Sequence, residues 1–186
     1  YGGYWRYPDL KDFCYLVNPY FPSEVMKNEF KSFFNTLLTE YPSGLNVQNL
    51  LAGKMFGIED ERIIVGNGAA ELIRILPEIL LGSFGVVYPS FDEYTHTIGT
   101  ERIVSFVPQT EDFSYSISDL EKLASKADNL LLINPDNPSG HYISKIDVLA
   151  VLEKMKESNK ILIVDESFVD FSEEGEDATL IRSEIM

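Results

Sequence analysis

Short apolar runs alternate along this chain with segments of helical periodicity, and that alternation constrains the fold more than any other feature. The runs carry hydrophobic side chains at nearly every position, which is typical of strands whose two faces are both buried. Strands of this kind form parallel sheets that helices cover on both sides. We therefore predict an α/β fold, with a three-layer, mostly parallel sheet. The predicted strands are Arg62–Val65, Phe84–Tyr88, Ile103–Val107, Asn129–Ile133 and Lys160–Val164.

The first quarter of the chain precedes this alternation. It reads as irregular extended chain up to Pro22, and Ser23 then caps a predicted helix that continues to about Leu38. Residues 41–44, Tyr-Pro-Ser-Gly, end that helix, and a short helix follows at about 46–56. We expect an N-terminal arm and helix at 1–45 and the sheet domain at 46–186.

Charge and composition exclude several classes of function. The formal net charge of −15 repels nucleic-acid phosphates and anionic lipids, so neither is an expected partner. No apolar run approaches the about 18 residues that span a bilayer. The single cysteine, Cys14, excludes an internal disulfide and suits the cytoplasm, and two histidines, His96 and His141, are too few for a Cys/His metal site.

Polar segments, three of them with glycine or proline, follow four of the predicted strands directly. They are GNGAAE after Val65, PSFDEY after Tyr88, NPDNPSG after Ile133 and DESFVDF after Val164. In open α/β sheets the carboxyl ends of parallel strands meet at one edge, and ligands bind in the crevice there. We therefore expect these four segments to form one ligand site.

Two of the segments have more than one interpretation when taken alone. Gly66–Glu71 joins a strand to a helix, where free N–H groups attract phosphate, but Glu71 replaces the third glycine of the dinucleotide fingerprint. The segment is either a phosphate-binding turn or a plain tight turn. Asp165 ends a run that looks like a Walker B strand, although the chain has no Walker A motif. This acid either caps a turn or faces a buried cationic nitrogen.

Asn137 and Tyr94 are the other candidates. Asn137 lies in a loop with two X-Pro pairs, which favour extended backbone and hold its side chain, so the loop indicates a function beyond connection. Tyr94 follows the second predicted strand, and its ring either stacks on a flat heterocycle or is an ordinary partly buried tyrosine.

The segments GNGAAEL, PSFDEYT, NPDNPSG and VDESFVDF, in that order, resemble the fold type I pyridoxal-phosphate enzymes of the class I and II aminotransferase family. Within that family the chain is most similar to histidinol-phosphate aminotransferases and threonine-phosphate decarboxylases. The opening GG…DFCYLVNPYFPSEV resembles the decarboxylase-type start, and TEYPSG resembles the family's RYP segment. The resemblance covers nearly the whole chain and implies the N-terminal part of the large cofactor-binding domain.

The resemblance also implies a pyridoxal 5′-phosphate site in the four loops. The backbone amides of Ala69 and Ala70 would hold the cofactor phosphate. Tyr94 would stack on the pyridine ring, and Asn137 would bond its phenolic oxygen. Asp165 would pair with the pyridine nitrogen and keep it protonated.

Three further implications concern the whole enzyme. Tyr41 would reach the phosphate of the neighbouring subunit in a homodimer. Phe168 stands where many aminotransferases have a tyrosine that bonds the phenolic oxygen, and a phenylalanine there is more like the decarboxylases. The family's Schiff-base lysine and the small C-terminal domain are absent, so we expect an inactive piece of a larger enzyme.

The resemblance leaves the reaction open. The parent enzyme would transaminate or decarboxylate a small amino acid, or a phosphorylated amino acid or amino alcohol. A non-catalytic module that keeps the sheet for ligand binding or assembly is the alternative. A Rossmann nucleotide-binding domain is a weaker one, supported by the GxGxxE segment alone.

Overall fold

A computed structural model of the chain describes residues 6–11 and 18–181. These residues form two compact units, Tyr1–Gly44 and Leu45–Met186. Cys14 lies outside the described residues. None of the helices in the described segments is long and apolar enough to cross a bilayer.

The described residues of the first unit contain two α-helices, α1 (Glu24–Ser32) and α2 (Phe34–Thr39), where the sequence predicted one helix. Ser23 caps α1 as predicted, and its hydroxyl oxygen accepts a hydrogen bond from the Met26 N–H at 3.3 Å. Phe33 interrupts the predicted helix, because its φ of −99° and ψ of 6° depart from helical values.

The second unit contains five helices and four strands within its described residues. They are α3 (Leu45–Phe56), α4 (Ala69–Ile79), β1 (Phe84–Val87), α5 (Asp92–Ile98), β2 (Ile103–Phe106), α6 (Ile117–Lys126), β3 (Asn129–Ile133), α7 (Lys145–Glu157) and β4 (Ile161–Asp165).

The four strands form a single sheet in the order β2-β1-β3-β4, and every neighbouring pair is parallel. Phe84 at the start of β1 lies opposite Asn129 of β3, and Ile133 at the end of β3 lies opposite Asp165 of β4. The carboxyl ends of β3 and β4 are therefore level at one edge.

Burial on both faces of β3 produces the three layers. Leu130 and Leu132 pack into a core cluster with α6 and α7, whereas Leu131 and Ile133 pack into a second cluster with α4 and α5. Successive strand residues point to opposite faces, so a continuous apolar strand needs helices on both sides. The predicted three-layer α/β fold is confirmed.

One predicted strand is wrong. Arg62 ends a 3₁₀ turn at Asp60–Arg62, and residues 63–65 follow it without regular structure. Ile64 is 75% exposed, so the apolar run is not a buried strand in this structure. A strand needs a hydrogen-bonded neighbour, and no strand in the described part of the chain pairs with this run.

Arg102 holds the C-terminal end of α4 at the edge of the sheet where the strands begin. Its guanidinium donates hydrogen bonds to the carbonyl oxygens of Pro77 at 2.9 Å, Leu80 at 2.6 Å and Gly82 at 2.8 Å. Its Cζ also lies 5.0 Å from the ring centroid of Phe84, the first residue of β1. The C-terminal end of α4 therefore meets the beginning of β1.

The N-terminal end of α4 consequently lies at the opposite edge. Ile73 and Leu76 of this helix pack on the sheet face in the same cluster as Phe84 and Val86. A helix of this length spans about 16 Å, which exceeds the length of a four-residue strand. We therefore expect Ala69 near the edge where the strands end.

Candidate functional site

The turn before α4 leaves the first amides of that helix without a side-chain cap. Gly68, the N-cap residue, has a φ of 84°, a conformation that favours glycine. The Glu71 carboxylate accepts a hydrogen bond from the Asn67 N–H at 2.5 Å, one residue before the cap. Ala69 and Ala70 are exposed. Their N–H groups can therefore hold an anion at the positive end of the helix.

Asp165 is the last residue of β4, and three donors orient its half-buried carboxylate. The Ser167 N–H and hydroxyl donate to Oδ1 at 2.9 and 2.5 Å, and the Tyr94 hydroxyl donates to Oδ2 at 2.8 Å. Asp165 shares a strand face with Ile163, which packs against the α4/α5 cluster. The carboxylate therefore has a fixed direction and lies on the same face of the sheet as α4.

Tyr94 lies in the core rather than on the surface. Its side chain is only 4% exposed and belongs to the cluster with Phe84, Ile98 and Ile133. Burial, and then the nearby Asp165 carboxylate, raise the pKa of Tyr94, so the phenol stays neutral and remains a donor. This packing favours Tyr94 as the hydrogen-bond partner of Asp165 over the expected role as a stacking platform.

Phe91 is the aromatic side chain on this segment that a ligand can reach. It precedes α5, is 41% exposed, and its ring lies edge-on to the Tyr94 ring with centroids 6.4 Å apart. The sequence motifs did not distinguish Phe91 as a candidate. Its position in the first turn after a strand, ahead of the helix rather than inside it, is the signal that distinguishes it from Tyr94.

The loop after β3 is closed by the side chain of Asn134. Its Nδ2 donates to the Ile143 carbonyl oxygen at 2.9 Å, and its Oδ1 accepts from the Ile143 N–H at 2.9 Å. The Asn134 N–H also donates to the Asp165 carbonyl oxygen at 2.9 Å. Both ends of the loop are therefore joined to each other and to the end of β4.

Asn137 lies at the tip of this loop. The Asp136 N–H donates to the His141 carbonyl oxygen at 2.8 Å, and the Gly140 N–H donates to the Asp136 carbonyl oxygen at 2.9 Å. Asn137 is half-buried, and its side-chain amide makes no hydrogen bond to the described residues. The loop thus holds the backbone of Asn137 and leaves its amide available for a ligand.

The two remaining predicted residues make none of these hydrogen bonds. Phe168 is half-buried, and its ring centroid is 6.3 Å from that of Phe171. Tyr41 belongs to the first unit and is fully exposed. The structure therefore brings Tyr94 to Asp165 and joins the Asn137 loop to the end of β4.

A groove of about 1390 Å³ lies against the face of β4 opposite to the one that carries Asp165. Its lining includes Ile63, Val164, Glu166 and Leu180 but not Asp165. Alternation along the strand explains this, because residues on either side of Asp165 point away from it. The groove is therefore separate from the candidate site.

Three of the four lysines between Asn137 and Asp165 have partners elsewhere, and the fourth, Lys156, is exposed in the last turn of α7. Lys145 donates to the Thr179 carbonyl oxygen at 2.7 Å, and Lys160 donates to the Ala124 carbonyl oxygen at 2.5 Å. Lys154 pairs with Glu121. Lys160 precedes β4, whose five residues separate it from the carboxyl edge by about 16 Å.

Comparisons with known proteins agree with the resemblance found in the sequence. A family model described as aminotransferase class I and II matches residues 18–186. The L-serine phosphate decarboxylase of Sulfurospirillum multivorans is 30% identical over 94% of this chain and 47% of its own length. The CMP-5′-(3-aminopropyl)phosphonate synthase of Streptomyces rubellomurinus is 32% identical over 92% of this chain and 27% of its own length.

Solved structures show the same similarity. A decarboxylase from Sulfurospirillum multivorans matches with a TM-score of 0.78 and 28% identity, covering 95% of this chain and 48% of that one. The histidinol-phosphate aminotransferase from Clostridium acetobutylicum matches with a TM-score of 0.64 and 26% identity, covering 81% and 47%. The chain thus spans about half, or less, of the length of these relatives.

The contrast between two buried tyrosines gives a test of the Asp165 contact. The Tyr115 hydroxyl is buried without a hydrogen-bond partner among the described residues, whereas that of Tyr94 donates to Asp165. We expect Tyr94→Phe to lower the free energy of unfolding by about 1 kcal/mol, and Tyr115→Phe to leave it unchanged or raise it. Urea denaturation measures both, and equal losses in the two variants would contradict the assignment.

The two asparagines of the loop should respond differently to truncation. Asn134→Ala leaves the buried backbone groups of Ile143 without partners, so we expect the free energy of unfolding to fall by about 2–4 kcal/mol. Asn137→Ala removes no internal side-chain bond and should cost less than about 0.5 kcal/mol. Denaturation curves measure both changes. A large loss of unfolding free energy in Asn137→Ala would show that the Asn137 amide has a structural role.

Proposed function

Because this chain belongs to the class I and II aminotransferase family, we propose that it binds pyridoxal 5′-phosphate at the carboxyl edge of its sheet. The observation that carries the proposal is the carboxylate of Asp165, which three donors orient at the end of β4. A desolvated carboxylate is stabilised by a cationic partner, and a protonated pyridine nitrogen supplies one.

The residues present fit the cofactor at both of its ends. The uncapped amides of Ala69 and Ala70 suit its phosphate, and we expect them at the same edge as Asp165, because α4 packs on the sheet face that Asp165 shares with Ile163. The side-chain amide of Asn137 suits its phenolic oxygen. We assign the stacking contact to Phe91, since it is exposed and Tyr94 is not.

Bound pyridoxal phosphate supplies an electron sink for negative charge that develops on a substrate carbon. Asp165 holds the proton on the ring nitrogen, and Tyr94 and Ser167 keep its carboxylate in the direction that this contact requires. Asn137 orients the ring through the phenolic oxygen, and the start of α4 anchors the phosphate. Each of these groups is fixed by the fold before a ligand arrives, which lowers the ordering cost of binding.

The reaction we propose for the complete enzyme is transamination or decarboxylation of a small or phosphorylated amino acid. Relatives of both kinds match the chain, and the Sulfurospirillum multivorans relative is named for a phosphorylated amino acid. Phe168 in place of a tyrosine favours the decarboxylases. We further propose a cytoplasmic homodimer in which Tyr41 reaches the neighbouring subunit's cofactor phosphate.

Substitution of Asp165 tests the cofactor assignment. In the complete protein we expect Asp165→Asn to lower turnover by at least about 100-fold while the cofactor dissociation constant changes less than about tenfold, because phosphate and ring contacts remain. Asp170→Asn, an exposed acid on the same loop, is the matched control. Near-normal turnover in Asp165→Asn would contradict the proposed contact between Asp165 and the ring nitrogen.

We also propose that this chain does not hold the cofactor covalently. A covalent bond needs a lysine amine at the cofactor aldehyde. Lys145, Lys154 and Lys160 bond to partners other than Asp165, and Lys156 is exposed in the last turn of α7, ahead of β4. Borohydride reduction of the 186-residue chain with pyridoxal phosphate should leave no site-specific adduct in a peptide map. A longer protein that contains this chain should be marked at one lysine beyond Met186. A single stoichiometric adduct on the chain itself would contradict the proposal.

A further inference from the structure

We propose that His141 is a positioning residue that sets the location of the Asn137 amide by tying its loop to the core. The inference rests on the proposed function, since it assigns Asn137 to the cofactor. His141 lies four residues beyond Asn137, and its half-buried ring faces the segment before α6 instead of the ligand edge.

The imidazole anchors the loop to Tyr115. Its Nε2 lies 2.8 Å from the Tyr115 carbonyl oxygen and 3.5 Å from the Tyr115 backbone nitrogen. Because the carbonyl oxygen only accepts and makes the shorter contact, we assign the proton to Nε2. The two rings are 4.5 Å apart between centroids and inclined at 62°. Tyr115 is 6% exposed and belongs to the core cluster with Leu120 and Val148. The anchor point is therefore itself immobile.

Hydrogen bonds of the His141 backbone connect this anchor to the tip of the loop. Its carbonyl oxygen accepts from the Asp136 N–H at 2.8 Å, and its N–H donates to the Ser139 hydroxyl oxygen at 3.2 Å. The Ser139 hydroxyl in turn donates to Asp136 Oδ2 at 2.5 Å. Asn137 lies between Asp136 and Ser139, so its position follows from the same closed set of bonds.

Asn134 alone does not determine the tip. Its bonds to Ile143 close the base of the loop, several residues from Asn137. His141 contributes the link between the tip and the α6/α7 face of the sheet. Without the ring, the tip keeps its internal bonds and the base keeps its bonds to Ile143, but the tip loses its side-chain link to Tyr115, and with it the fixed direction of the Asn137 amide.

A double-mutant cycle in the complete protein tests this. The cofactor dissociation constant is measured for the wild type, His141→Ala, Asn137→Ala and the double variant, with exposed His96→Ala as the control. We expect each loop variant to weaken binding about tenfold, the double variant to bind no worse than Asn137→Ala, and His96→Ala to match the wild type. If the dissociation constant of the double variant rose by the product of the two single-variant increases, the proposal would be overturned, because His141 would then act independently of Asn137.

A second variant and a second readout separate positioning from folding. Gln at position 141 can restore a donor to the Tyr115 carbonyl, so His141→Gln should recover most of the affinity that His141→Ala loses, and failure to do so would overturn the anchor. In the cofactor-free protein, the Gly140 amide should exchange with solvent faster in His141→Ala than in the wild type, and unchanged exchange would also overturn it. If Asn137→Ala binds the cofactor normally, the proposed role of Asn137 fails, and this inference fails with it.

Discussion

Burial of β3 on both faces is the constraint from which the rest of the second unit follows. Leu130 and Leu132 require one helical layer, and Leu131 and Ile133 require another. Parallel strands must then be joined by crossovers through those layers, so every strand ends at the same edge. The polar segments meet at that edge because of this connectivity, whatever their own sequences prefer.

The edge becomes a site because its polar groups are held by partners outside the ligand region. Asp165 is oriented by Tyr94, which the α4/α5 core immobilises, and the Asn137 loop is closed through Asn134. Arg102 bonds the C-terminal end of α4 at the far edge of the sheet, and we expect the other end of this helix, at Ala69, near the carboxyl edge. Core packing and functional geometry are thus produced by the same contacts.

The sequence predicted the elements whose signals are local and missed those that depend on distant partners. The apolar run of β3 and the four loop motifs sufficed for the fold class and for the family. The break at Phe33 and the missing strand at 62–65 depend on what packs or pairs with those segments, which periodicity does not encode. Tyr94 was expected to stack because a tyrosine in a strand-end segment carries no mark of burial, and only the fold shows its hydroxyl on Asp165.

The central claim is that the cofactor binds at the carboxyl edge of the sheet and not in the groove lined by Val164 and Glu166. A crystal structure of the complete protein grown with pyridoxal phosphate tests it most directly. We predict that the phosphate lies on the amides of Ala69 and Ala70 and that the ring nitrogen is within hydrogen-bond distance of Asp165. A cofactor bound in the groove lined by Val164 and Glu166, with Asp165 free of it, would contradict the account.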